Sequence, residues 1–308
     1  MHPHGHVTDA HGHDHPPSGR PPSTRRLAWA LAVVVLFMVV EVVGGLVSGS
    51  LALLADAAHM GTDALALVLA LVASRLRERS GGPQHSYGLR RAPVLSAFVN
   101  GLLLLGLSAW VVVEAVQRML APPEVLAGTM LGVAIAGLLA NVIAFALLHG
   151  GDRTDINLRG ALLHVAGDML GSVAAIVAAL VILSTGWMLA DPLLSIGVAL
   201  LVAFAAWNLL RQSAGILLEA APAGVEIARL ARELPGQVPG LSDVHHLHVW
   251  SLAPGETLLT CHARVAPGAD PDRVRADLRA VLASQYGIGH ATIETERVDR
   301  DPCASPPC

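Results

Sequence analysis

Six apolar runs restrict this sequence more than anything else in it, at about 27–48, 51–74, 93–117, 125–148, 158–184 and 188–210. A helix needs roughly 20 mostly apolar residues to cross ~30 Å of hydrocarbon, and each run is long enough. Inside a bilayer the backbone N–H and C=O groups find no water, so such runs fold as helices that satisfy their own hydrogen bonds. Composition agrees. Of 308 residues, 53% are hydrophobic and 14% charged, against about 25% charged in soluble domains.

Arginine placement orders the runs. Arg25 and Arg26, then Arg75, Arg77, Arg79, Arg90 and Arg91, then Arg153 and Arg159, then Arg211 occupy alternate connections. The intervening links, Ser48-Gly49-Ser50, Leu120 to Glu124 and Ser184-Thr185-Gly186, have only Arg118 beside them. Arginine-rich loops stay in the cytoplasm, so the pattern predicts a multi-pass protein of the inner (plasma) membrane with both termini cytoplasmic. Arg25 and Arg26 do not open a signal peptide, because the run after them is too long and lacks a small-residue cleavage site. A net charge of −4 gives no footing for a nucleic-acid partner. Three cysteines, Cys261, Cys303 and Cys308, are too few for a disulfide framework.

The expected domains are a His-rich disordered cytoplasmic tail over 1–24, a six-helix transmembrane domain over 25–213, a small soluble domain over 214–300 and a tail over 301–308. In the soluble part, Gly224 to Leu234 and Asp270 to Tyr286 have helical apolar spacing. His246 to Trp250, Thr257 to Val265 and Ala291 to Val298 read as strands. The order helix, strand, strand, helix, strand fits a compact α+β sandwich of the ferredoxin-like kind. The fold class is therefore an all-α membrane domain followed by a small cytoplasmic α+β domain.

Ionisable residues at membrane depth are expensive, roughly 2.5–3.5 kcal/mol each on insertion scales, and mark functional sites. The second run carries His59 and Asp63, and the fifth carries His164 and Asp168, each pair four residues apart and on one helix face. At about 1.5 Å per residue, His59 and Asp63 lie roughly 12 and 18 Å from one entrance, and His164 and Asp168 roughly 9 and 15 Å from the other. All four fall near the midplane. Two imidazoles and two carboxylates suit a tetrahedral divalent cation, zinc above all; copper(I) prefers sulfur, and calcium or magnesium prefer oxygen. A lone membrane histidine is commonly hydrogen-bonded to a neighbouring helix, but that does not account for two HxxxD pairs at one depth. Asp56, one turn before His59, reads equally as a partner of the site or as a hydrated carboxylate at its mouth. Asp191, beside Pro192, reads as an N-cap of the sixth run.

Outside the membrane, His2, His4, His6, His11, His13 and His15 form a tract suited to loose metal capture. His245, His246 and His248 crowd with His262, Glu294 and Glu296 in the soluble domain. Residues two apart on a strand share a face, so His246 and His248 are expected to point together, as are Glu294 and Glu296. This crowding of imidazole and carboxylate reads as a cytoplasmic metal site. No HExxH motif occurs, which argues against an intramembrane zinc protease. A membrane metal sensor or store without flux is the alternative.

The stretches SGSLALLADAAHMGTDALAL, QHSYGLRRAPVLSAFVNG, LLHVAGDMLGS, VHHLHVWSL and GIGHATIETE resemble the cation diffusion facilitator family, and within it the bacterial zinc exporters. The resemblance covers about residues 27–298. It implies a homodimer of six-helix subunits, each with a cytoplasmic ferredoxin-like domain, and export of Zn²⁺ and related divalent ions, such as Cd²⁺ and Co²⁺, in exchange for protons. It places the transport site on His59, Asp63, His164 and Asp168, and dimer-bridging cytoplasmic zinc sites on His245, His262, Glu294 and Glu296. Of a further loop site between the second and third runs, only His85 remains, with Gly82 and Leu89 where some members have ligands. His at position 59 is the version of the site that resembles zinc-selective members.

Overall fold

The computed structural model describes residues 24–78, 85–149 and 156–297. The His-rich tail, Gly82, and the tail bearing Cys303 and Cys308 lie outside the described residues. Six long helices come first: α1 (Thr24–Ser48), α2 (Leu51–Glu78), α3 (Ala92–Leu120), α4 (Ala127–His149), α5 (Ile156–Thr185) and α6 (Ala190–Leu217). They correspond one to one with the six apolar runs. Then come α7 (Ile227–Gln237), β1 (Leu241–Ala253), β2 (Glu256–Val265), α8 (Pro271–Tyr286) and β3 (His290–Arg297), in the expected order. Among the described residues, Ala92–Leu120, Asp168–Thr185 and Ala190–Leu217 are each long and apolar enough to cross a membrane. Val35–Ser48 and Ala127–Ile143 are shorter apolar helices.

The chain divides into two compact units. The first comprises residues 1–60 and 115–195, and the second comprises 61–114 and 196–308, so the division passes through α2, α3 and α6.

In the first unit, small residues set the helix packing. Ala175, Ala178, Ala179 and Ile182 on α5 bury against Ala127, Met130 and Ala134 on α4. Without a hydrophobic effect between helices in lipid, close backbone approach of this kind supplies the attraction. Gly44 on α1 lies so near α4 that a Cβ there would meet Val133 Cγ2 at 2.6 Å. The surface is inverted relative to a soluble protein. Leu36, Leu46, Leu139 and Leu170 are exposed, while Glu41, Asp56, Asn141 and Asp168 are buried. Apolar side chains outside and acids inside is the arrangement a bilayer selects.

In the second unit, β1 and β2 form an antiparallel hairpin closed at Ala253 and Glu256, with Gly255 at φ 78 in the turn. The crossover through α8 then makes β3 parallel to β2, giving the strand order β1-β2-β3. Helix α8 starts where Asp270 accepts the Asp272 N–H at 3.0 Å and ends at Gly287, in the left-handed region at φ 67. Leu230 and Leu234 of α7 share one core with Val274, Leu278 and Leu282 of α8 and with Val244, Val249, Leu259, Cys261 and Ile293 of the sheet. Both helices therefore cover the same sheet face, and the other face carries His245, His262 and Glu296. Of the boundaries that differ from expectation, two have a clear physical cause. Strand β1 begins at Leu241 rather than His246, because a bulge breaks the alternation that marks a strand. Helix α6 runs on to Leu217, since Arg211, Gln212 and Ser213 continue the helix after the apolar run has ended.

Candidate metal sites

The membrane cluster is built from the start of α2. Ser50 Oγ donates to Asp191 Oδ1 at 2.7 Å, the Leu51 N–H donates to Asp191 Oδ2 at 2.8 Å, and the Ala52 N–H donates to Oδ1 at 3.2 Å. Ser50 Oγ also accepts the Leu53 N–H at 3.3 Å. Asp191 thus caps α2, not the helix it sits on. This corrects the N-cap reading: Asp191 is already inside the first turn of α6, and the orphan N–H groups within its reach belong to α2. Further along α2, Asp56 is only 7% exposed and faces Gly171 of α5. It is a buried carboxylate, not a hydrated one.

His59 follows one turn later, with Nε2 standing 3.9 Å from Asp168 Oδ1 of α5. That is too long for a hydrogen bond. A tetrahedral zinc with bonds of about 2.0–2.2 Å would hold two such atoms about 3.4 Å apart, so the gap is close to what an ion could bridge. Asp63 comes one more turn along α2, on the helix face that carries His59. The side chain of His164, one turn before Asp168 on α5, lies outside the described residues.

The cytoplasmic cluster lies on the open face of the sheet. Register pairs His245 with His262 across β1 and β2, and His262 with Glu294 across β2 and β3. Glu296 divides its oxygens between two rings: Oε1 is 2.8 Å from His262 Nδ1, and Oε2 is 3.2 Å from His245 Nε2. One ligand atom from each of His245, His262 and Glu296 falls within 4.8 Å of the others. Glu294 reaches His262 Nε2 at 3.6 Å but its side chain is 70% exposed. Burial works against the Glu296 carboxylate, yet the His262 hydrogen bond and the charges of His245, His262 and Arg264 outweigh it and hold the carboxyl below its usual range.

Sequence reasoning put His246 and His248 on one face, and Leu247 between them does pack against the core; the bulge brings His245 to that same open face. That reasoning also passed over Asp243, whose Oδ2 is 3.6 Å from His245 Nδ1, and Arg264, 3.9 Å from Glu296. Paired register was the signal that could have found both. Cys261 faces the core, where burial pushes its thiol up to about 11, so it is no ligand.

His85 lines a cavity of about 630 Å³ with Tyr87, Arg91, Glu219, Trp250 and Leu252. Among the described residues, no group of three metal-ligating side chains includes it. Instead, ion pairs join this loop to residues beyond α6: Arg91 to Glu219 and Arg90 to Glu256, both at 2.9 Å.

Long apolar-faced helices with acids and imidazole inside, followed by an α+β domain with a second imidazole–carboxylate cluster, define a membrane protein that handles metal cations. Residues 27–218 match the cation efflux transmembrane domain, and residues 223–298 match the cytoplasmic domain of cation efflux proteins. The chain belongs to the cation efflux family, whose members include those described next. It is 46% identical to the zinc transporter ZitB of Escherichia coli over 302 residues, covering 97% of this chain and 95% of that protein. It is 37% identical to the metal cation efflux system protein CzcD of Cupriavidus metallidurans over 287 residues, covering 93% and 89%. It is 39% identical to the cadmium, cobalt and zinc/H(+)-K(+) antiporter of Bacillus subtilis over 264 residues, covering 84% and 85%. The relatives are named as transporters and not as enzymes, in keeping with the absence of HExxH from the sequence.

Proposed function

We propose that this protein exports Zn²⁺ from the cytoplasm in exchange for protons, through a site made by His59 and Asp63 on α2 with His164 and Asp168 on α5. The observation that carries this reading is the approach of His59 Nε2 to Asp168 Oδ1 across two helices. The names of the relatives support it: zinc transport is given for the Escherichia coli protein, and cadmium, cobalt, zinc and protons for the Bacillus subtilis one. Each His must be neutral and each Asp ionised to bind the ion, so loading releases protons and protonation expels the metal. Residues 25–213 form the transport domain and 214–300 a cytoplasmic domain that binds a resident zinc through His245, His262 and Glu296, with Glu294 at the exposed edge of the cluster. Both termini are cytoplasmic, the protein sits in the inner membrane as a homodimer, and the tract from His2 to His15 gathers metal.

Everted membrane vesicles test the reading. With an imposed pH gradient, the wild type accumulates zinc, and Asp63→Ala and Asp168→Ala do not. Undiminished uptake in either variant, or wild-type binding without flux, refutes it.

A further inference from the structure

A regular strand would send His246 to the face opposite His245. That face is the core, bounded by Val244 and Val249. The chain avoids this. Register runs from His245 opposite His262 to His248 opposite Thr260, so His246 and Leu247 on β1 stand against the single residue Cys261 on β2. The extra residue is absorbed at His246, whose φ is 46, in the left-handed region. A residue with a Cβ enters that region only at a steric cost, and Gly or Asn would occupy it more readily. Two things result. Leu247 packs against the core in place of an imidazole. The His246 ring also comes to stand with its centroid 5.5 Å from that of His245 and 5.1 Å from that of His262. The His245 and His262 rings are themselves 5.4 Å apart, so the three imidazoles form a triangle, two of whose members contact Glu296.

The three ligands already within 4.8 Å, His245, His262 and Glu296, leave a tetrahedral ion one ligand short. Glu294 competes poorly for the vacancy, since an exposed carboxylate keeps its water and its conformational freedom. We infer that His246 is the fourth ligand-bearing residue of the cytoplasmic site, giving a three-histidine, one-carboxylate set for a divalent cation of zinc's class, with Glu294 peripheral. This rests on the proposed cytoplasmic site. Left-handed strain at a non-glycine residue persists where the surroundings over-determine it, and it clusters at ligand-binding positions.

The test uses the full chain in nanodiscs carrying Asp63→Ala and Asp168→Ala, which silence the membrane site. Cobalt(II) is titrated and its visible absorption recorded, because tetrahedral nitrogen–oxygen coordination gives an intense band. His246→Asn keeps a residue that accepts the left-handed backbone and removes the imidazole. It is expected to weaken cobalt binding by about tenfold or more, on the scale that changes around metal ligands produce, and to alter the band. Glu294→Gln and His248→Asn are expected to leave both unchanged. Metal-free His246→Asn should unfold at or above the parent's temperature, so the loss is not one of folding. Parent-like cobalt binding by His246→Asn, or a loss in Glu294→Gln that His246→Asn does not show, overturns the inference. An unchanged band in His262→Ala removes the cytoplasmic site itself, and the inference with it.

Discussion

Gly171 on α5 gives the sharpest handle on the membrane cluster. A Cβ built there stands 2.5 Å from Asp56 Oδ1, 3.0 Å from Cγ and 3.2 Å from Oδ2, where ordinary contact begins at 3.4 Å. Gly171→Ala therefore demands a separation of about 0.9 Å that Asp56 cannot supply by turning aside, being buried at 7% exposure in a close-packed interior. Overpacking of this size costs about 1–3 kcal/mol. Gly171 lies one turn from Asp168, and Asp56 one turn from His59, so the strain is relieved by parting α2 from α5 where the metal must be gripped. Closing the site around the ion would then require that energy again. We expect the apparent zinc affinity to fall roughly 5- to 150-fold. The assay is zinc uptake into proteoliposomes against zinc concentration, with Gly132→Ala as the control, because a Cβ at Gly132 meets nothing within 4 Å. Removing the obstruction should couple the two positions: Asp56→Ala with Gly171→Ala loses less than the two single changes added. Equal affinity in Gly171→Ala and Gly132→Ala would show that α2 and α5 do not press together here.

Other outcomes follow from the same geometry. Asp191→Ala removes the acceptor for Ser50, Leu51 and Ala52 and should lower stability by about 2–3 kcal/mol, with Asp191→Asn milder, read as thermal unfolding in detergent. The lowered Glu296 carboxyl stabilises the fold fully above the ordinary value of about 4.3, and that share is lost as pH falls through the lower native value. Metal-free Glu296→Gln should accordingly lose less stability than wild type when pH is taken from 5 to 3; parallel curves would contradict this. Cys261 should resist maleimide in the native state and react on unfolding, since burial keeps it a thiol.

The membrane helices were legible within a few residues because hydrocarbon imposes length and apolarity on each run separately. The HxxxD spacing on α2 is local in the same way: four residues apart is a single helix face. What failed to show was set by partners distant in sequence. Asp191 reads as a local cap until Ser50, 141 residues away, is seen to meet it. That His245 shares a face with its neighbour His246 was hidden because period-2 reasoning loses its parity at a bulge, and nothing in VHHLHVW marks where the extra residue sits. Glu294 and His262 pair by register between parallel strands, which depends on the crossover through α8 and not on any spacing in the sequence.

The cap on α2 also decides where the protein can be handled. Ser48-Gly49-Ser50 looks from its letters like a flexible loop that would tolerate an epitope tag, a protease site or a fluorophore. Ser48 is 1% and Ser50 0% exposed, and the Gly49 carbonyl accepts from Arg118. An insertion there would split Ser50 and Leu51 from Asp191, unseat the first turn of α2 and so displace His59. The connection to use for labelling this side of the protein is Ala121-Pro122-Pro123, which is exposed throughout.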